Sequence, residues 1–445
     1  KEFAASCKKI NPFPDELLKS LEDFRTIRIT NRNGEPYSNA AYQLRSDGEK
    51  KYLFISHVFK PRDYNISSVD TAIVTIAGEW AVREMNTETG KISPLPAKYK
   101  DGDTVIKWIG GACTSLLLEL TAGRGEEGET SEETYSKEEF LSGEARFSLG
   151  EPNVLLLDKP SYSLSGGEIK RERDILYTDV AVRDELGIRR RGGKMKQPWA
   201  DPIDNNPKEK LALYYEFESE IEYSGAELAL ECLEFTDDII FNGEKVEKTP
   251  VGYYVDEDAL TKIALPAIRK GKNTLEINYR FGDATQLESV FILGNFGVAL
   301  DGATAKITAM PEKLRYADVV CQGMPFYGGN MTYKTEFDSD DGGEKTLEIT
   351  RYCGSLITVR LDGKELGAMI YPPARLCLGN VSKGKHSLEL TVYSNRANTF
   401  GTLHNADEDV PYCSAPAWLP DGRFWCPEYV TKRFGIMTSP RILTK

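Results

Sequence analysis

The chain has 445 residues, of which 40 % are hydrophobic, 28 % charged and 10 % aromatic, and it carries a formal net charge of −13. This composition reads as soluble and globular, with a length suited to about three domains. The negative balance repels phosphate backbones and argues against nucleic-acid binding, and no apolar run approaches the roughly 20 residues that a membrane-spanning helix needs.

In chain order, PDELLKSLEDF reads as a short amphipathic helix started by Pro14. The sequence opens at Lys1 without a charged-then-apolar leader, so no signal peptide is expected. A start without Met reads as a processed product or a piece of a longer chain. Strand-like runs follow at 52–59 and 71–85 and in DTVIKWIG and CTSLLLELT, with turn signals such as Thr89-Gly90 and Asp101-Gly102 between them. They predict a small sandwich over 25–121. The stretch 122–140, dense in Gly, Glu and Ser and without periodicity, reads as an exposed linker. Beyond it, NVLLLD is a buried-strand candidate. Over 167–188, Ile169, Ile175, Leu176, Val180, Val182 and Leu186 fall near helical spacing, with Gly187 placed to end the helix. A basic, turn-rich connector, RRRGGKMKQPW, comes next.

The clearest periodicity lies at 213–223. Leu213, Tyr215, Phe217, Ile221 and Tyr223 share one face and four glutamates the other, as in a half-buried antiparallel strand. An internal repeat then sets the architecture. DIIFNGEKV answers to ITVRLDGKEL, and RKGKNTLEINYRF to SKGKHSLELTVYSN. Each copy reads as a strand, an Asn-Gly or Asp-Gly hairpin turn, a second strand, and a Lys-Gly-Lys turn into an alternating strand. Between the copies, QGMPFYGGNMTYK places Phe326 and Tyr327 where they would pack at the seam of two sandwiches, with a ligand-contacting loop as the alternative.

Eight cysteines form no CxxC pair and no disulfide framework. Buried thiols are the plain reading, and a Cys413–Cys426 bridge is the sharper one. The missing framework leans toward a reducing compartment. Three histidines without HxH or HExxH spacing argue against a zinc site, and the absence of a GxSxG elbow or Walker loop removes the simplest hydrolase and nucleotide readings. His57, inside a strand-like run, reads as structural. The richest candidate surface is 404–429, where aromatic rings lie among prolines and acids. Flat sugar faces stack on such rings while Asp or His groups accept hydroxyl protons. The site candidates are therefore His404, Asp409, Tyr412, Trp418, Asp421, Phe424 and Trp425, and the alternative is that these rings pack the end of a sandwich. Trp199, in KQPWADP, divides in the same way.

The stretch ALECLEFTDDIIFNGEKV with LPAIRKGKNTLEINY resembles the sugar-binding sandwich of glycosidases such as β-galactosidase and β-glucuronidase. The series NVLLLD, LGIRRRGGKMKQPW, ESVFILGNFGV, QGMPFYGGNMTY, NTFGTLHN and FWCPEYVTKRFGI resembles the C-terminal half of large multidomain glycoside hydrolases of the α-L-rhamnosidase-like kind, over roughly 25–440. The resemblance implies a mostly β chain of several antiparallel sandwiches, the tandem pair resembling galactose-binding-like jelly rolls, with a short helical connector. The expected division is a lead-in at 1–24, a sandwich at 25–121, a linker at 122–150, a connector at 151–210, and jelly rolls at 211–320 and 321–445. In those enzymes the catalytic carboxylates sit on a (β/α)8 barrel, and nothing here alternates strand and helix as a barrel requires. No catalytic residue carries over. The implied partners are the catalytic barrel of the same protein and carbohydrate. A stand-alone carbohydrate-binding array and a structural adhesion protein are the alternatives. No cofactor or metal is implied beyond the structural calcium that many galactose-binding-like sandwiches hold, and no acidic loop here has ligand spacing that singles one out.

Overall fold

The computed structural model describes residues 14–59, 69–111, 113–131, 133–141, 143–191, 203–371, 374–407 and 417–445. The chain is mostly β, with three α-helices among the described residues: Pro14–Leu21, Ile175–Leu186 and Ala397–Phe400. Its strands pair almost entirely antiparallel and bury three separate hydrophobic cores.

The first core lies between a four-stranded and a five-stranded sheet built from 27–122. The run expected at 71–85 is two strands rather than one. Gly78 takes a left-handed φ of 92°, and the chain leaves Val69–Ile76 in one sheet to enter Trp80–Met85 in the facing one. Each half then alternates against a shared core that includes Leu53, Ile55, Val74, Leu118 and Leu120.

The second sandwich runs from 153 to 308. Its smaller sheet has the order Asn153–Leu157, Val290–Gly294, Glu227–Leu230, Asp256–Ala264, Pro250–Tyr254. Asn153–Leu157 is buried at every position, so it reads as a continuous apolar run. In the larger sheet Pro207–Ser219 pairs along its length with Gly271–Gly282. The predicted alternation holds from Leu211 to Ser219, whereas Ile221 and Tyr223 lie past the strand's end. The helix expected from 167 begins only at Ile175. Asp174 caps it and Gly187 ends it with φ of 63°, while Ile169 stays exposed ahead of it.

The third sandwich is where the expected linker departs from the structure. Lys137–Phe140 is an edge strand paired with Arg441–Thr444. Glu144–Leu149 inserts between Lys313–Arg315 and Met331–Ser339. The second sandwich is thus nested inside the third, and the polar composition of 137–149 reflects strands with one solvated face. The repeat is met at the level of pairing. Asn242-Gly243 and Asp362-Gly363 both turn their hairpins with two positive φ values, 52° and 82° in the first, 50° and 78° in the second. Thr236–Phe241 lies beside Gly271–Gly282 as Ile357–Leu361 lies beside Gly384–Val392.

Phe326 and Tyr327 sit at the junction and face opposite ways. Phe326 belongs to the core of the second sandwich and Tyr327 to that of the third. Gly328 and Gly329 are required there by contact, because a Cβ would lie 2.2 Å from Thr399 Oγ1 in the first case and 2.5 Å from Glu151 Cγ in the second. No disulfide joins the described cysteines, and Cys113, Cys321 and Cys377 are exposed, contrary to the expectation of buried thiols. Cys413 lies outside the described residues.

Candidate functional site

The smaller sheet of the second sandwich ends in a set of acids. Asp158 follows Asn153–Leu157, Glu231 follows Glu227–Leu230, Asp256 opens its strand, and Glu288 precedes Val290–Gly294. Antiparallel pairing brings all four ends to one side of the sheet. The segment 396–405, with its short helix Ala397–Phe400, and residues 417–420 cover this end and leave a cavity of about 530 Å³. Phe291, Phe400 and Trp418 supply its aromatic surface, and Asp158, Asp174, Glu231, Asp256 and Glu288 its carboxyl groups.

The cover is held by a buried polar core. His404, 6 % exposed, places Nε2 at 2.8 Å from Asp158 Oδ2 and Nδ1 at 2.9 Å from the Cys426 carbonyl. Both ring nitrogens thus lie within hydrogen-bond distance of an oxygen, which fixes the orientation of the ring. Tyr429 donates to the other Asp158 oxygen at 2.9 Å. Burial, reinforced by the Asp158 charge, lifts the Tyr429 hydroxyl far above its ordinary pKa. Trp418 Nε1 donates to the Phe400 carbonyl at 3.1 Å, which fixes the indole against the cavity. Asn405 ties Ala417 in the same manner at 2.9 Å.

Burial raises two of these carboxyl groups. Burial and then the neighbouring Glu288 charge push Glu231 up to about 7, so it holds its proton through part of the neutral range. Burial also raises Asp174, against the two backbone N–H groups that it caps, those of Leu176 and Tyr177. Glu288 is engaged by Arg191 at 2.8 Å. Such a wall offers carboxylates that accept, a carboxylic acid that donates, and flat rings between them. Two cavity residues, Val255 and Arg396, and Cys232 next to Glu231, hold left-handed φ values of 63°, 58° and 57°. For a β-branched valine this is an outlier, and such strain gathers at binding and catalytic sites.

Of the residues expected from sequence, His404 and Trp418 line the cavity. Asp421, Phe424 and Trp425 do not: Asp421 caps the Gly422–Phe424 turn and pairs with Arg173 at 3.4 Å, and the same guanidinium lies 5.4 Å from the Trp425 ring. Asp421 and Trp425 thereby fasten the last loop to Arg173, just ahead of the helix, while Phe424 stays exposed beside the Arg423 guanidinium. Asp409, Tyr412 and Trp199 lie outside the described residues. The acids Asp158, Asp174, Glu231, Asp256 and Glu288 and the rings of Phe291 and Phe400 were missed. A usable signal was present for three of them, because Asp158 directly follows NVLLL, Glu231 directly follows LAL, and Glu288 stands one residue before VFILG.

No protein-family model and no curated protein matches the sequence. Among solved structures, the chain is similar to a rhamnosidase from Novosphingobium sp. PP1Y, at 11 % identity and a TM-score of 0.42, over 96 % of this chain and 26 % of that one. It is also similar to a beta-D-mannosidase from Dictyoglomus thermophilum, at 13 % identity and a TM-score of 0.20, over 54 % of this chain and 31 % of that one. A beta-galacturonidase from Eisenbergiella tayi bound to glycerol stands at 12 % identity and 0.20, over 54 % and 36 %. The chain thus spans about a quarter of the rhamnosidase's length.

Proposed function

We propose that this chain is the accessory sandwich region of a glycoside hydrolase, working beside a catalytic (β/α)8 barrel of the same protein, and that the cavity beneath Trp418 contacts carbohydrate. The observation that carries the carbohydrate reading is the wall itself: an indole fixed by its own N–H, two phenylalanines, and carboxyl groups in both protonation states around about 530 Å³. Pockets of that size suit a small ligand, and rings with nearby hydrogen-bonding groups match the two faces of a sugar. The glycoside hydrolase reading comes from the ordered motifs, from NVLLLD to FWCPEYVTKRFGI.

Titration of the chain with mono- and oligosaccharides, followed by tryptophan fluorescence and calorimetry, tests it. Saturable quenching is expected, weakened at least roughly ten-fold by Trp418→Ala, the scale of a lost ring-stacking contact with its burial. Aryl glycosides should show no turnover with this chain alone. Quenching that survives Trp418→Ala, or no binding across the panel, rejects the carbohydrate reading of this cavity.

A further inference from the structure

The cavity beneath Trp418 has an unbalanced wall. Five carboxyl groups line it, those of Asp158, Asp174, Glu231, Asp256 and Glu288, against one guanidinium, Arg396, and no lysine among the described residues. The guanidinium is already engaged, donating to both Glu151 oxygens at 2.7 and 2.6 Å. Glu151 itself lies outside the wall, so nothing in Arg396 is left to balance the acids that face the cavity.

Four of the five acids have partners. Asp158 is bonded to His404 and Tyr429, Asp174 caps the helix, Asp256 accepts the Ala259 N–H at 3.2 Å, and Glu288 pairs with Arg191 at 2.8 Å. Glu231 has neither a hydrogen bond nor an ion pair among the described residues. The charges that act on it are Glu288 and Asp256, which repel a carboxylate there, and Arg191, which is shared between Asp179 and Glu288. Its carboxyl is half-buried in the wall, and its oxygens are not sealed in the core. A carboxylate drawn part-way out of water without a counterion is unfavourable, which is why burial and the Glu288 charge push this group up to about 7. A glutamine would keep its size and hydrogen-bonding capacity without that penalty. A positive charge entering the cavity would supply the missing partner, and Phe291, Phe400 and Trp418 offer a sugar ring its flat contacts.

We propose, resting on the carbohydrate reading of this cavity, that its ligand is an amino sugar whose free ammonium pairs with Glu231 while its ring packs on Trp418. The same wall discriminates against uronic acids and sulfated sugars, whose anions would enter among carboxylates.

The test is calorimetry of the whole chain and its Glu231→Gln variant at pH 6, where a sugar ammonium holds its proton. The probes are methyl glucosaminide, methyl glucoside, methyl glucuronide and ethanolamine. Without sugar, Glu231→Gln removes a repelled carboxyl, so its Tm should equal or exceed that of the parent. The parent should bind the glucosaminide at least roughly ten-fold tighter than the glucoside, and the glucuronide more weakly than either. Glu231→Gln should bring the first ratio close to one. Titration in buffers of different ionisation enthalpy should show a proton released when the glucosaminide binds and none with the glucoside, because a neighbouring ammonium lowers the Glu231 pKa. A ratio near one in the parent, a ratio that survives Glu231→Gln, no proton release, or ethanolamine binding as tightly as the glucosaminide would each overturn the amino-sugar proposal. Saturable glucoside binding weakened by Trp418→Ala would in those cases leave the carbohydrate reading standing, whereas silence from all three sugars rejects both.

Discussion

The two repeated hairpins are tied by the same bonds, made by different side chains. Asn242 Oδ1 accepts from the Thr274 N–H, and Asp362 Oδ1 from the Ser387 N–H, both at 2.9 Å. Asn242 then meets Asn273 at 2.8 Å, where Asp362 meets His386 at 2.7 Å. Asn273 and His386 each reach back four residues to a backbone carbonyl, that of Arg269 in one case and Ser382 in the other. The third sandwich has thus replaced a neutral amide pair with a titrating one. Its hydrogen bond to Asp362, ahead of that to Ser382, raises His386, and the same bond lowers Asp362. A raised histidine contributes stability that is full below its ordinary value near 6.5 and lost as pH climbs through the native one; a lowered aspartate contributes above about 3.9 and fades as pH falls. His386→Asn, which restores the pairing of the second sandwich, should therefore flatten the alkaline decline in Tm of the third sandwich. Parallel pH–Tm curves for parent and variant would reject this account. The Asn-Gly and Asp-Gly pairs were readable in the sequence because their φ demand restricts residue choice. The bonding role of His386 was not, since it depends on which side chain lies across a strand pair.

Elements whose pattern matches their own period were legible, and those set by a cap or a contact were less so. The strand at Pro207–Ser219 follows its alternation, and Asn153–Leu157 its unbroken apolar run. The helix was overextended at its start because Ile169 happens to fall in helical register, whereas the physical boundary is Asp174, whose carboxylate takes the Leu176 and Tyr177 N–H groups at 2.9 and 3.1 Å. That cap is also buried beside Asp158, and burial raises its pKa, so its charge costs stability at neutral pH even as its oxygen serves the helix. The two effects separate by substitution. Asp174→Ala loses the cap and should lower stability by about 1 kcal/mol, within the 0.5–2 kcal/mol seen for caps. Asp174→Asn keeps an acceptor without the charge and should match or exceed the parent at pH 7, losing that advantage as the pH falls through the raised pKa and the parent carboxyl becomes neutral. Urea unfolding at two pH values measures both. The carboxyl cluster around the cavity belongs to the same class: Asp158, Glu231, Asp256 and Glu288 each mark a strand end, but only the antiparallel order of the sheet reveals that those ends meet.

At the scale of the whole molecule the feature that sequence order hides is the nesting. Composition marks 122–150 as a linker, yet 123–128 is bonded to the first sandwich, the Gly123 N–H donating to the Glu79 carbonyl and the Gly128 N–H to the Ala97 carbonyl, each at 3.0 Å. Beyond that segment, Ser136 and Lys137–Phe140 bind the far end of the chain, with the Ser136 N–H donating to the Thr444 carbonyl at 2.8 Å. Arg441 reinforces this by bridging Glu138 and the nearly buried Glu348. Glu144–Leu149 then occupies an interior position of the six-stranded sheet, and Ala145 joins the core of the third sandwich. Partners about 300 residues apart leave no local trace, since a four-residue polar strand has the composition of a loop. The consequence is a sharp dependence on where the chain is cut. Removing residues 1–130 takes away the first sandwich with its own core and should leave the cooperative unfolding of the rest in place, with a Tm within a few degrees of the parent's corresponding transition. Removing residues 1–150 deletes 20 residues more, yet it strips an edge strand and an interior strand from a sandwich that begins, by sequence repeat, nearly two hundred residues later. That sandwich should then lose its transition in calorimetry and expose apolar surface to a dye, while the second sandwich, whose strands run from 153 to 308, keeps its own. Equal behaviour of the two truncations would mean that the upstream strands are dispensable and that the third sandwich folds as a simple tandem unit.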